Sequence, residues 1–287
     1  MQQHKWWQDT VFYQIYPRSF CDSNGDGVGD IRGIVEKLDY IKWLGAGAIW
    51  LSPVYDSPNR DMGYDIRDYK RILREYGTMQ DFDLLLEEMH KRGLRLVMDM
   101  VVNHTSDEHP WFLASRSSRN SPYRDYYYWR PGKGDNPPNN WSSFFTPCAW
   151  KYDTITKEWY LHCFGENQPD LNWENPAVRE EIYRMINWWL DRGVDGIRID
   201  VVSLFAKNID FPNATLRTSN YDGYVFPIEH IAFQPKLPGY LRELNARCLA
   251  GKDRVSIGEA TFVTTGNANT IVGEDMLDMA FQFELME

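Results

Sequence analysis

Asp195-Gly196-Ile197-Arg198-Ile199-Asp200 is a short apolar strand interrupted by charge, and Ser256-Ile257-Gly258-Glu259-Ala260 is a second that also ends in a carboxylate. A parallel strand buried on both faces reads as a near-continuous run of Val, Ile and Leu. Arg198 and Asp200 break that run two residues apart, so they share one face. Charge in such a place is costly unless it is paired or used. Two strand ends offering Asp200 and Glu259 therefore predict a two-carboxylate active site. Taken alone, the same residues also suit a structural Arg–Asp pair beside an exposed Glu.

Working outward, strand-like and helix-like segments alternate. Strands are expected at 11–16, 48–52, 94–102, 197–201, 255–259 and 279–283. Apolar residues recur at three and four over 34–44 and over 79–91, where Phe82, Leu85, Leu86 and Met89 line one helical face and Gly93 follows. Pro176 opens another helix that runs to Asp191, with Gly193 beyond it. Repeated strand–helix–strand order implies a parallel sheet with right-handed crossovers. Polar residues follow several different strand ends: Asp65, then Asn103 and His104, then Asp200, then Glu259. That distribution predicts a (β/α)8 TIM-barrel type of α/β fold. A doubly wound sheet would gather them at one switch point, and no Gly-rich phosphate fingerprint opens a helix.

From 105 to 171 the alternation stops. Pro, Asn, Gly and aromatic residues lead to Ala149–Tyr152 and Glu158–Leu161 around a polar turn. A structureless loop of this length is uncommon, so a small hairpin-bearing subdomain is expected here. The predicted organisation is barrel over 1–104, inserted subdomain over 105–171 and barrel again over 172–287.

The 287 residues are 43% hydrophobic and 25% charged, with a net charge of −10. That balance argues against nucleic acid as a partner and suits a neutral ligand. Aromatics make up 15%, and many sit in polar surroundings: Tyr123 to Trp129, Trp141, Phe144, Phe145 and Trp150. Such rings suit either a core or the face of a sugar. Cys21, Cys148, Cys163 and Cys248 lack metal-ligand spacing. Cys148 and Cys163 flank the hairpin and can approach, but four free thiols in a reducing compartment is the preferred reading. No apolar signal core and no run long enough to span a membrane is present, which predicts a soluble cytoplasmic protein without a membrane partner.

Neighbouring strands lie about 4.8 Å apart, and retaining glycosidases hold their two carboxyls about 5–5.5 Å apart. Adjacent strand ends supply that separation directly. Arg198 on the same face can keep Asp200 ionised, as a nucleophile requires. Glu259, in apolar company, is expected to hold its proton more tightly, as a general acid does. Asp99 alternates with Val97 and Val101 and points inward too, and His104 just past that strand can meet a ligand hydroxyl. Asp22-Ser23-Asn24-Gly25-Asp26-Gly27-Val28-Gly29-Asp30 spaces oxygen ligands at alternate positions with a Gly at the sixth, as calcium loops do. It lacks the twelfth-position Glu and flanking helices of an EF-hand, so an ordinary Asx-rich turn stays open.

Together these motifs resemble glycoside hydrolase family 13, the α-amylase family, in the branch of oligo-1,6-glucosidase, dextran glucosidase and trehalose-6-phosphate hydrolase. The resemblance rests on Gln14-Ile15-Tyr16-Pro17, Asp99 to His104, Gln168-Pro169-Asp170-Leu171-Asn172, Gly196 to Asp200 and Gly258-Glu259. It implies a retaining, exo-acting α-glucosidase without an organic cofactor, acting on a small oligosaccharide or disaccharide. Asp200 would be the nucleophile and Glu259 the acid/base. Arg198, His104 and Asp99 would lie at the sugar, Tyr64 would stack under the non-reducing glucose, and Asp61 would bond its outer hydroxyl. Phe145, Phe164 and Gln168 would shape the rim. The resemblance also implies a structural Ca2+ on Asp22, Asn24, Asp26, Asp30 and the Val28 carbonyl, and a monomer when complete. Val201 directly after the nucleophile favours α-1,6 over α-1,4 bonds. Ser203 and Thr146-Pro147-Cys148 depart from the branch pattern and bear on the leaving-group preference.

The family carries a third acid at the end of a seventh strand, whereas this sequence reaches its last residues on the sixth. The expectation is a barrel truncated after strand six, with the remaining strands and a C-terminal β domain outside the chain, and little turnover from this piece. Trehalose-6-phosphate hydrolase and sucrose isomerase or transglucosylase are the alternatives within enzymes. A non-catalytic amylase-like binding module is the alternative of a different class.

Overall fold

The computed structural model describes residues 4–216 and 223–283. Six parallel strands form one sheet in chain order: β1 (Phe12–Ile15), β2 (Ala48–Leu51), β3 (Arg95–Met100), β4 (Gly196–Ile199), β5 (Val255–Gly258) and β6 (Met279–Ala280). The sheet curls into half a barrel. Phe281, just past β6, meets Trp50 of β2 across the interior with ring centroids 5.4 Å apart. The expected strand at 279–283 is thus shorter, and Glu284 to Glu287 lie outside the described residues.

Register explains the two faces. Trp50 pairs with Val97, Asp99 with Arg198, and Arg198 with Ile257. These residues look inward, where Val97, Val255 and Ile257 form a small cluster with Trp6, Phe12 and Phe281. The alternate residues, among them Ile49, Leu96, Met98, Ile197 and Ile199, join the large outer core. Gly196 is required by close approach: a Cβ there would lie 2.4 Å from Cγ1 of Val255 and 2.6 Å from its carbonyl oxygen.

Helices cover the outer face: α1 (Ile31–Glu36), α2 (Leu38–Trp43), α3 (Met79–Lys91), α4 (Pro176–Asp191) and α5 (Leu237–Leu244). α3 begins at a capping box, in which Thr78 accepts from Asp81 N and Asp81 accepts from Thr78 N. α4 is capped by Asn175 with Pro176 behind it. The single helix expected over 34–44 is two helices that meet at Lys37. The first starts earlier because Asp30 caps it, accepting from Gly33 N at 2.7 Å.

Between β3 and α4 the chain builds a three-stranded antiparallel sheet, ordered Trp129–Arg130, Glu158–Leu161, Trp150–Asp153. The expected hairpin is present with one more short strand. Tyr127, Tyr128, Trp129, Trp141 and Trp150 are buried, so these rings form core rather than a sugar platform. The four cysteines are unpaired. Among the described residues no helix is long and apolar enough to cross a membrane.

Candidate active site

The C-terminal ends of β3, β4 and β5 bring four charged groups together. Arg198 Nη1 donates to Asp99 Oδ1 and to Asp200 Oδ1, each at 2.7 Å, and its Nη2 lies 2.7 Å from Glu259 Oε2. Asp200 and Glu259 are close enough to share a hydrogen bond, which requires a proton on one of them. The sequence paired Arg198 with Asp200 alone, but one guanidinium serves three carboxylates. Its guanidinium carbon also lies over the rings of Trp50 and Tyr64, 5.0 and 5.9 Å from their centroids, where the ring faces attract the cation.

Burial and crowding set the protonation order. Burial, then the Asp200 charge, pushes Glu259 up to about 7, against the pull of Arg198. Burial lifts Asp200 too, to about 6, again against the pull of Arg198. Burial works against the charged form of Arg198 too, but Asp99, Asp200 and Glu259 outweigh it and hold the guanidinium above its usual range. Both carboxyls are therefore raised together, and the pair holds a proton more readily than two separate carboxylates would.

Asp99 lies in the same cluster, behind Arg198. It is 1% exposed, and its carboxylate accepts from Arg198, Trp50 Nε1 at 3.2 Å and Tyr64 OH at 3.1 Å. It orients those groups. Trp50 escaped the sequence reading, although its alternation with Ile49 and Leu51 placed it on the inner face.

A second group forms the adjoining wall. His104 Nε2 lies 3.0 Å from the Tyr64 carbonyl, and its Nδ1 lies 3.2 Å from Asn103 Nδ2. Burial keeps this imidazole neutral by lowering its affinity for a proton. Gln168 Nε2 donates to Asp61 Oδ2 at 2.7 Å, and burial raises the Asp61 carboxyl. Asp61, Tyr64, His104 and Gln168 are thus one hydrogen-bonded unit. Phe164 packs on His104 at 5.1 Å and stacks on Phe144 at 4.8 Å, while Phe145 is 56% exposed. Phe226 and Phe262 complete this aromatic group, at 4.7 and 6.3 Å from Phe144. Neither was read from the sequence, although Phe262 stands three residues past Glu259.

Val201 follows Asp200 with φ 38° and ψ 44°. A left-handed β-branched residue is rare and costs about 1–3 kcal/mol. Its N–H donates to Glu259 Oε2 at 3.1 Å. Ser203 is fully buried, and its hydroxyl has no hydrogen-bond partner among the described residues. Lys207 was also missed. Its side chain is fully buried, with Nζ 3.0 Å from the equally buried Asp170 Oδ2 and donating to the Leu204 carbonyl at 2.8 Å. It ties the Gln168–Asn172 segment to the end of β4.

The Asp22–Asp30 loop is built from Asx turns. Asp22 accepts from Gly25 N and Gly27 N at 2.7 Å, Asn24 from Asp26 N at 2.9 Å and Asp26 from Val28 N at 2.8 Å. Asp30 is occupied with Ser23 and the α1 cap. The donor types suit a hard cation. Among the described residues, however, no three His, Cys, Asp or Glu side chains gather at a metal-holding point. Cavities of about 840 and 670 Å3 lie elsewhere, beside Tyr240 and Met276 and beside Trp7 and Leu277. Neither is lined by Arg198, Asp200 or Glu259.

The α-amylase catalytic domain matches residues 14–287, and the chain belongs to the α-amylase family, glycoside hydrolase family 13. It is 53% identical to an oligo-1,6-glucosidase of Bacillus cereus over 99% of this chain and 50% of that protein. It is 54% identical to that of Parageobacillus thermoglucosidasius over 98% and 50%. The structure matches a Bacillus licheniformis trehalose-6-phosphate hydrolase with a TM-score of 0.93 at 43% identity, covering 99% of this chain and 50% of the other. It matches a trehalulose synthase with a TM-score of 0.94 at 48% identity, covering 99% and 51%. The chain spans about half the length of the curated relatives it matches.

Proposed function

We propose that this chain carries the nucleophile and the acid/base of a retaining, exo-acting α-glucosidase. Its substrates are short gluco-oligosaccharides, with α-1,6 bonds first and α-1,4 bonds second. The observation that carries the reading is the single guanidinium of Arg198 gripping Asp200 and Glu259 at adjacent strand ends. Asp200 attacks the anomeric carbon while Glu259 gives its proton to the leaving oxygen. The C–O bond breaks and a glucosyl ester of Asp200 forms. Glu259, now anionic, takes a proton from water as that water attacks the ester. The Asp61–Tyr64–His104–Gln168 unit holds the glucose, with Phe145 and Phe164 at the rim and Val201 beside the leaving group. The names of the relatives support the linkage. Trehalose-6-phosphate hydrolysis and sucrose isomerisation proceed through the same ester and differ in the partner of the glucosyl group, and the two structural neighbours keep both readings in play.

The same proposal divides the chain into barrel (1–104), subdomain (105–171) and barrel (172–287). It places the protein in the cytoplasm as a monomer without nucleic-acid or membrane partners, consistent with the net charge of −10. It assigns a structural Ca2+ to Asp22, Asn24, Asp26, Asp30 and the Val28 carbonyl; ion binding would gather these oxygens, and no catalytic step passes through it.

The test is covalent capture. In the complete enzyme, a fluorinated α-glucosyl fluoride, which slows hydrolysis of the ester, should add one fluoroglucosyl mass to the peptide bearing Asp200. Asp200→Asn should remove the adduct with the far-ultraviolet spectrum unchanged. An adduct on another residue, or one that survives Asp200→Asn, overturns the assignment.

A further inference from the structure

We infer that Val201 is a positioning residue for Glu259: its left-handed backbone aims the N–H at the acid/base carboxylate, so the residue flanking the leaving group also fixes where that carboxylate sits. Among the described non-glycine residues with positive φ (Asn59, Met62, Lys157, Val201, Phe211, Phe233 and Phe262), Val201 is the β-branched one. Such a conformation persists only where the surroundings over-determine it. Here they do. The Val201 side chain is 6% exposed and packs in the cluster that contains Tyr128, Phe164 and Leu204. Those rings come from the 105–171 excursion.

The turn achieves something an extended continuation of β4 would not. Val201 N reaches Glu259 Oε2 at 3.1 Å, and Val202 N reaches the Glu259 carbonyl at 2.8 Å. Two consecutive amides thus hold the side chain and the backbone of one residue on the neighbouring strand. The other charged groups around Glu259 are Asp200 and Arg198 from β4, with Asp99 of β3 and Tyr64 behind Arg198. Burial and Asp200 favour protonated Glu259, whereas Arg198 and the Val201 amide favour its anion. The amide therefore acts on the group whose proton is transferred, besides the shape that the valyl side chain gives to the leaving-group pocket.

This inference rests on Glu259 being the acid/base, yet it is separable from it: labelling of Asp200 can succeed while the Val201 amide proves independent of Glu259. The test uses the chain labelled with 15N valine and carboxyl-13C glutamate, titrated from about pH 5 to about pH 9. The Val201 amide resonance should move with the same midpoint as the Glu259 carboxyl carbon and become flat in Glu259→Gln. Replacing Val201 by its α-hydroxy acid, which exchanges the N–H for an ester oxygen and keeps the valyl side chain and the left-handed turn, should raise the Glu259 midpoint by about one pH unit, a tenfold gain in proton affinity. If that variant does not fold, the amide titration of the parent chain decides. A flat Val201 amide in the parent, one that still titrates in Glu259→Gln, or an unmoved Glu259 midpoint in the folded ester variant overturns the inference.

Discussion

Asp195 and Asp200 stand at opposite ends of the same strand and live in opposite electrostatic regimes. At the N-terminal end, Asp195 accepts from Arg95 Nη1 at 2.6 Å and from Leu96 N at 2.9 Å, with His90 Nε2 at 2.8 Å. One carboxylate has more partners than it needs. At the C-terminal end, Asp99, Asp200 and Glu259 share one guanidinium. One cation is spread over three acids. The first arrangement locks the sheet. The second keeps a proton and an anion in reserve, which costs stability and makes chemistry available.

Substitutions at the two ends should therefore differ in sign. Asp195→Ala strands Leu96 N and the side chains of Arg95 and His90, and should lower unfolding free energy in urea by about 2–4 kcal/mol. Asp200→Asn relieves crowding around Arg198 and should raise it by about 1–3 kcal/mol at neutral pH. Equal losses at both positions would break the comparison. The next effect is pH-dependent. The Glu259 carboxyl is raised in the folded state to about 7. The native chain thus binds more protons than the unfolded one between the two values, and stability should fall as pH rises through that window. Glu259→Gln should remove this component, worth about 2–3 kcal/mol, so its melting temperature should exceed the parent's at pH 8 more than at pH 5. The smallest effect concerns the loop outside both ends. If Asp22 to Asp30 bind calcium, millimolar calcium should raise the unfolding free energy by RT ln(1 + [L]/Kd), about 1–3 kcal/mol, and the melting temperature with it. Asp26→Ala should abolish the rise. No rise, together with no metal by elemental analysis, returns the loop to an ordinary turn.

Local sequence was most legible where local chemistry decides. α3 and α4 run from Met79 to Lys91 and from Pro176 to Asp191, as their apolar period and end signals indicate. The first helical region was harder because Asp30 carries two signals at once. Read as a metal ligand, it hid the cap that starts α1 at Ile31. The two-residue strand Trp129–Arg130 has no period to detect. Its neighbours Tyr128, Trp141 and Trp150 looked like possible sugar-facing rings because their sequence surroundings are polar, yet each is buried against residues distant along the chain.

The sequence by itself determined the parallel strand order, the inward direction of Asp99, Arg198 and Asp200, and the adjacency of Asp200 and Glu259. These follow from a period of two and from the alternation of strands with helices, which are local properties. Only the tertiary structure decided how charge is distributed among those groups. That Arg198 serves three acids, that Asp99 faces Trp50 and Tyr64, and that Lys207 neutralises Asp170 depend on distances between segments far apart in the chain. So does the left-handed turn at Val201, since a strained dihedral persists only where distant packing holds it.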